Sequence, residues 1–173
     1  MALSNTSRAV AALVWLICTV AGLWFLTDQR AIAFDPKAML QGPNWPQVAR
    51  EQLPQEHSKP TLYLLTDKGC KCNETSRPHQ NKVKADAERH GIAVVQLDVT
   101  AHLRNLLPAV PAAILLDENQ EVMYAGPLSV GLSCAISDGI IDTVIANYSK
   151  GFKGDLRVSD TRGCYCRLEQ VTS

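Results

Sequence analysis

Thr61–Cys72 reads TLYLLTDKGCKC, an apolar run that ends in a glycine and two cysteines one residue apart. Thr61–Thr66 has the length and the leucine, tyrosine and threonine content of a buried strand, bounded by Pro60 and by Asp67–Gly69. A long polar, helix-compatible segment follows. A strand that turns into a helix at a cysteine pair sets thiols beside unpaired N–H groups and the positive end of the helix dipole, which favours the thiolate. Lys68 and Lys71 add to that field. Residues i and i+2 diverge on a helix, so Cys70 is assigned to the turn and Cys72 to the start of the helix. From these residues alone, redox chemistry, a metal site and a static disulfide all stay open.

Downstream, Asn73–His90 reads as a helix burying a thin stripe around Val83 and Ala87, with Pro78 bending it or delaying its regular part. His79 and His90 are read as solvated or partly packed, and no histidine pair stands at zinc-finger spacing from the cysteines. Gly91 stops the helix and Ile92–Val99 forms a second strand. Thr100 is placed as the cap of a short helix over Ala101–Leu107, ended by Pro108. Ala112–Asp117 and Glu121–Ala125 then form an antiparallel hairpin, broken by Gly126–Pro127. Val130–Tyr148 is expected as the last helix, with Cys134 in the core and Gly139 in its interior.

Upstream, Ala9–Leu26 carries no charge over eighteen residues, enough helical length to span a hydrocarbon core. A cleaved leader ending at Ala31–Ala33 is the alternative, but Asp28 and Arg30 separate that site from a run that is long for a leader. The basic residues Arg8, Arg30 and Lys37 hardly decide orientation. Between the span and the first strand, Pro36, Pro43, Pro46, Pro54 and Pro60 suggest a spacer, interrupted by one short helix over Trp45–Leu53 with Trp45 as a packing residue. The organisation expected is a tail and anchor over 1–27, a linker over 28–60, a domain over 61–150 and an extension over 151–173.

That extension carries a second pair, Gly163-Cys164-Tyr165-Cys166. Five of the six cysteines lie outside the span, and four of them form the two C-x-C pairs, a density suited to an oxidising compartment. The expected location is therefore a single-pass inner membrane protein with its C-terminal domain periplasmic. Seventeen basic residues balance seventeen acidic ones, which leaves no electrostatic footprint for nucleic acid.

Strand, thiol turn, helix, strand, helix, then Val110–Pro111 before a hairpin and a closing helix, in that order, resemble the thioredoxin-like superfamily over Thr61–Tyr148. The resemblance implies an α/β, three-layer fold, a central mixed sheet with helices on both faces, here with one N-terminal transmembrane helix. It implies that Cys70 is the nucleophile and that Pro111 is a cis-proline facing it. Pro78 matches the helix-bending proline of that superfamily, and Gly126-Pro127-Leu128-Ser129 its glycine-led segment. The motif is C-x-C where the superfamily has C-x-x-C, Gly69 replaces the usual tryptophan, and Leu64 stands where a buried acid is common. The chain also resembles a group of membrane-anchored bacterial thioredoxin-like proteins of unassigned activity.

Three functions follow. The first is an extracytoplasmic thiol–disulfide oxidoreductase with no cofactor, in which Cys70 attacks, Cys72 resolves the mixed disulfide, and Cys164 and Cys166 form a second redox pair, with protein thiols and disulfides as substrates. The second is a soft-metal or copper-delivery module, with Cu(I) or Zn held by Cys70, Cys72, Cys164 and Cys166. The third is an anchored interaction domain with static bridges. The first two require the tail to fold back until its cysteines can meet Cys70 or Cys72. On the first, Cys70 is expected to be the more exposed thiol of its pair.

Overall fold

The computed structural model describes residues 5–54, 59–131 and 139–169. The chain divides into two units, residues 1–31 and 32–173. The first contains one long helix, α1 (Asn5–Arg30), and its segment Thr6–Leu26 is long and apolar enough to cross a membrane. Its large side chains, among them Trp15, Ile17 and Trp24, are exposed.

The second unit is built on a five-stranded mixed sheet. Its strands are β2 (Thr61–Thr66), β3 (Ala93–Asp98), β5 (Ala112–Leu116), β6 (Val122–Pro127) and β7 (Leu156–Arg157), in the order β3-β2-β5-β6-β7. β3 runs parallel to β2, with Thr61 beside Ala93 and Thr66 beside Asp98. β5 and β6 form the antiparallel hairpin. Side chains alternate across a strand, and the core divides accordingly. Leu62, Leu64, Ala113 and Leu115 point to one face, where Val83 and Ala87 of α3 (Lys71–Arg89) and Ile141 and Ile145 of α4 (Ile140–Tyr148) cover them. Tyr63, Leu65, Ala112, Ile114 and Leu116 point to the other, against Trp45 and Ala49 of α2 (Trp45–Gln52). A mixed sheet with helices on both faces is the thioredoxin-like arrangement.

Several readings are corrected. The stretch expected as a spacer belongs to the domain: Phe34, Leu40, Trp45, Ala49 and Leu53 are buried, and Trp45 Nε1 donates to the carbonyl of Leu106 at 2.8 Å. Prolines there prevent one long helix but leave single apolar residues free to pack. The extension, by contrast, folds back onto the domain as expected. β7 adds to the sheet parallel to β6, β8 (Arg162–Gly163) pairs antiparallel with β1 (Ile32–Ala33), and β9 (Cys166–Arg167) pairs antiparallel with β4 (Ala109–Val110). Pro78 lies inside a helix that continues through it. After β3 the chain makes only a short 3-10 turn, Leu103–Asn105, with no side-chain cap. β6 continues through Gly126 and Pro127 instead of breaking there.

The last helix is described from Ile140, and Gly139 is its N-cap, not an interior residue. The expectation for Cys134 lies outside the described residues. Gly139 suits the cap because a Cβ there would meet the Leu128 carbonyl at 2.8 Å and the His79 ring at 2.9 Å.

Candidate thiol–disulfide site

The turn after β2 is organised by Asp67. Its carboxylate accepts the Gly69 N–H at 2.8 Å, its carbonyl accepts the Cys70 N–H at 2.9 Å and the Asn73 side-chain amide, and Arg104 holds the remaining carboxylate oxygen at 3.1 Å. These contacts fix Cys70 as the N-cap of α3, in extended backbone, with Cys72 one step inside the first turn. The N-cap position stands at the end of the helix where N–H groups are free, a setting that favours a thiolate over a thiol.

The Val110–Pro111 peptide bond is cis, as the resemblance implies. The carbonyl of Val110 lies 3.8 Å from Cys70 Sγ. Cys70 and the Val110–Pro111 segment are thus brought together from α3 and β4.

The tail completes the site. Residues 162–168 run back over the turn, held by Gly131 N–H donating to the Arg162 carbonyl at 2.9 Å, by the β4–β9 pair, and by the Leu168 N–H donating to the Pro108 carbonyl at 3.0 Å. The two C-x-C segments meet in opposite directions, so the first cysteine of one joins the last of the other. Cys70 is bonded to Cys166, with Cα atoms 5.7 Å apart, and Cys72 to Cys164, with Cα atoms 5.9 Å apart. Both separations fall in the ordinary range for a disulfide.

Burial reverses one expectation. Cys70 is 5% exposed, whereas Cys72, Cys164 and Cys166 are half-buried. The tail that delivers Cys166 is also what covers Cys70. The sulfurs of Cys70, Cys72 and Cys166 lie within 4.8 Å of one another, close enough for exchange between neighbours and, as thiolates, for one soft cation. In the bridged form the four sulfurs are bonded in two pairs, and a cation could be held only after reduction.

Four contributors were not legible in the sequence. Val110 offers its carbonyl, Leu168 fixes the end of the tail, and Tyr165, between the two cysteines, is buried, packs edge-on against Phe34 at 5.1 Å and donates its hydroxyl to the Ser129 carbonyl at 2.8 Å. Gly163 passes so close to Gly131 that a Cβ would meet the Gly131 carbonyl at 2.8 Å. The quoted Gly-Cys-Tyr-Cys run was the signal for the last two.

Behind the site, His79 is buried, not solvated. Its Nδ1 bonds Ser129 Oγ at 2.6 Å and its Nε2 bonds Asp142 Oδ2 at 2.7 Å. Lys82 Nζ and the Gly139 N–H also reach Asp142, at 2.6 and 2.7 Å. Burial pushes the Asp142 pKa up, but the hydrogen bonds from His79, Lys82 and Gly139 outweigh it and lower it from the usual 3.8 to about 2. This network ties α3, which carries Cys72, to α4 and to the loop that receives Tyr165.

The model of a domain of unknown function, DUF6436, matches residues 43–168 of the chain. No curated protein matches it. Among solved structures, a hypothetical protein from Sinorhizobium meliloti 1021 is similar at 12% identity, over 83% of this chain and 92% of that one, with a TM-score of 0.48. A disulphide isomerase from Xylella fastidiosa Temecula1 is similar at 18% identity, over 65% and 92%, with a TM-score of 0.36. The strand order and the helices on both faces of the sheet, not these distant likenesses, define the fold.

Proposed function

We propose, for a chain that belongs to the DUF6436 family, that it is a membrane-anchored, extracytoplasmic thiol–disulfide oxidoreductase whose two C-x-C pairs exchange one disulfide between them. The observation that carries this reading is the cross-pairing of Cys70 with Cys166 and Cys72 with Cys164 at the N-terminus of α3. Static staples need no such place. Thiols that must ionise and exchange do.

Reduction begins at Cys72–Cys164, where neither residue is fully buried, whereas Cys70 is. A dithiol reductant gives up two electrons, and Cys72 and Cys164 become thiols. The Cys72 thiolate then attacks Sγ of Cys70, the Cys70–Cys166 bond breaks, a Cys70–Cys72 bond forms, and Cys166 leaves as a thiolate that takes a proton from water. The sum is one oxidised dithiol, a reduced tail pair and one disulfide on the first pair. Fully reduced, Cys70 is the nucleophile toward a protein disulfide, since its sulfur sits on the N-cap, and Cys72 resolves the mixed disulfide. The Val110 carbonyl, one residue before Pro111, lies 3.8 Å from that sulfur.

A second reading rests on the 4.8 Å cluster of Cys70, Cys72 and Cys166: the reduced protein would carry a soft cation such as Cu(I), with Cys164 as a further ligand. Exchange kinetics on the full chain in detergent separate the two. With a fluorescent peptide disulfide as substrate, the reduced chain accelerates exchange and Cys70→Ser falls to the uncatalysed rate, while Cys18→Ser is unchanged. No acceleration, together with stoichiometric Cu(I) retained through gel filtration, would replace the first reading by the second.

A further inference from the structure

α3 carries a polar stripe beside the outer strand of the sheet. Cys70, Asn73, Arg77 and Gln80 follow one another at three- and four-residue steps, so they share one face of the helix. Near them stand Thr66, at the end of β2, and Asp98, at the end of β3, the strand that has no neighbour on its far side among the described residues. Two adjoining cavities of about 360 and 430 Å³ lie here, and Thr66, Arg77, Gln80 and Asp98 border both. Each is of a size that takes a small molecule. The first runs on to Gly69 and Cys70. Its lining comes from β2, the turn, α3 and β3, and not from the tail or the Val110–Pro111 segment.

Gln80 is only 7% exposed, and a buried amide needs partners for both of its ends. Its Nε2 donates to Ser76 Oγ at 2.8 Å and to the Asn73 carbonyl at 3.3 Å, and since that carbonyl can only accept, the nitrogen is fixed on that side. The Gln80 carbonyl oxygen is the end left for the groove, and no described residue donates to it. Asp98, which accepts Thr66 Oγ1 at 3.4 Å and meets Lys68 at 3.3 Å, adds a second acceptor on the same wall. Arg77 is exposed and has no ion-pair partner among the described residues. An amide oxygen beside a carboxylate suits a ligand ammonium, and a guanidinium suits a ligand carboxylate, which it takes with two parallel hydrogen bonds.

We propose that this groove binds a small zwitterion, an amino acid or short peptide whose ammonium meets Gln80 and Asp98 and whose carboxylate meets Arg77. Joined to the exchange reading above, on which this step rests, the groove names a substrate class: a small disulfide with amino-acid ends, of which cystine is the simplest. In the reduced chain the Cys70 thiolate attacks one sulfur of cystine, the S–S bond of cystine breaks, a Cys70–cysteine disulfide forms and one cysteine leaves. The Cys72 thiolate then attacks Sγ of Cys70 and releases the second cysteine. One cystine becomes two cysteines, the Cys70–Cys72 dithiol becomes a disulfide, and the two protons that the cysteines take up are those the two thiols gave to water.

Binding and exchange are tested apart, on the full chain in detergent. L-cystathionine, which has a methylene in place of one sulfur of cystine and cannot exchange, is titrated by calorimetry into the bridged chain. Saturable binding is expected, weakened about tenfold or more by Arg77→Ala and by Gln80→Leu, the size of one lost charge-assisted hydrogen bond. Cadaverine and glutarate, which carry charge of one sign only, are expected to bind at least about tenfold more weakly. Arg77 is exposed, so its variant tests the groove without a change in the core. No heat of binding, or binding that Arg77→Ala leaves unchanged, would overturn the groove and leave the exchange reading standing. Cadaverine or glutarate binding as tightly as cystathionine would overturn the zwitterion. Cystathionine binding while the reduced chain accelerates exchange of the fluorescent peptide disulfide but not of cystine would overturn the substrate assignment, and failure with both disulfides would overturn the exchange reading itself.

Discussion

Cys166 stands directly opposite Val110 in an antiparallel pair while its sulfur is bonded to Cys70, whose own sulfur lies 3.8 Å from the Val110 carbonyl. One residue of the tail is therefore held by main chain and side chain together, at the N-terminus of the helix best placed to stabilise a thiolate. The consequences below follow from that placement.

The two bridges should open in a fixed order. Because Cys70 is buried and neither cysteine of the other bridge is, a limiting amount of a phosphine should free Cys72 and Cys164 first. Alkylation with a light reagent, then full reduction and a heavy one, reads the order by peptide mapping. Light label appearing first on Cys166 would contradict it.

Gly163→Ala should weaken the tail's seat. The added Cβ would lie 2.7 Å from the Tyr165 ring and 2.8 Å from the Gly131 carbonyl, and only the ring can give way. Overpacking of this kind costs about 1–3 kcal/mol. Urea unfolding should show a lower midpoint, with Cys70 alkylated faster after partial reduction. An unchanged midpoint would mean that the close approach is not enforced.

Much of the domain was legible because its signals are local. The strand Thr61–Thr66, the turn at Cys70, the helix start at Lys71 and the parallel second strand each follow from a run of six or more residues with clear boundaries. The parts that were not legible are short or depend on distant partners. β1, β4, β8 and β9 have two residues each, too few for any periodicity. Phe34 and Leu40 stand singly among prolines in the sequence, and both are fully buried in the core, where Phe34 meets Tyr165 edge-on. The burial of Cys70 is created by a segment 96 residues away, and His79 finds its partners on two other elements. The C-x-C pairs announced that chemistry was present. Their antiparallel approach, which sets the pairing, exists only in the fold.

Asp142 should make stability depend on acid. Its pKa is lowered from 3.8 to about 2 on folding, so its contribution is fully present above about pH 5 and is lost as pH falls through 4 toward 2. A shift of that size corresponds to about 2 kcal/mol. Asp142→Asn should therefore destabilise the chain at neutral pH, and the gap from the parent should narrow at pH 3 in paired urea titrations. A gap of the same size at both pH values would assign the loss to packing and not to charge.

The N-terminal helix should hold the protein in membranes. Thr6–Leu26 is long and apolar enough to cross a membrane, and its large side chains are exposed. In the proposed location the full chain stays with membranes through alkaline carbonate washing, and protease added outside the inner membrane removes the domain. Release by carbonate, or protection of the domain, would contradict the anchor or its orientation respectively.

The most direct test is whether the two bridges exchange while the protein stays folded. The full chain in detergent is equilibrated with glutathione buffers poised between about −300 and −150 mV, quenched with acid and alkylated, while far-ultraviolet circular dichroism monitors the fold. The account predicts that Cys70–Cys166 and Cys72–Cys164 titrate reversibly in that window with the circular dichroism unchanged. Bridges that stay closed throughout, and open only in denaturant, would make them static staples and contradict the oxidoreductase reading.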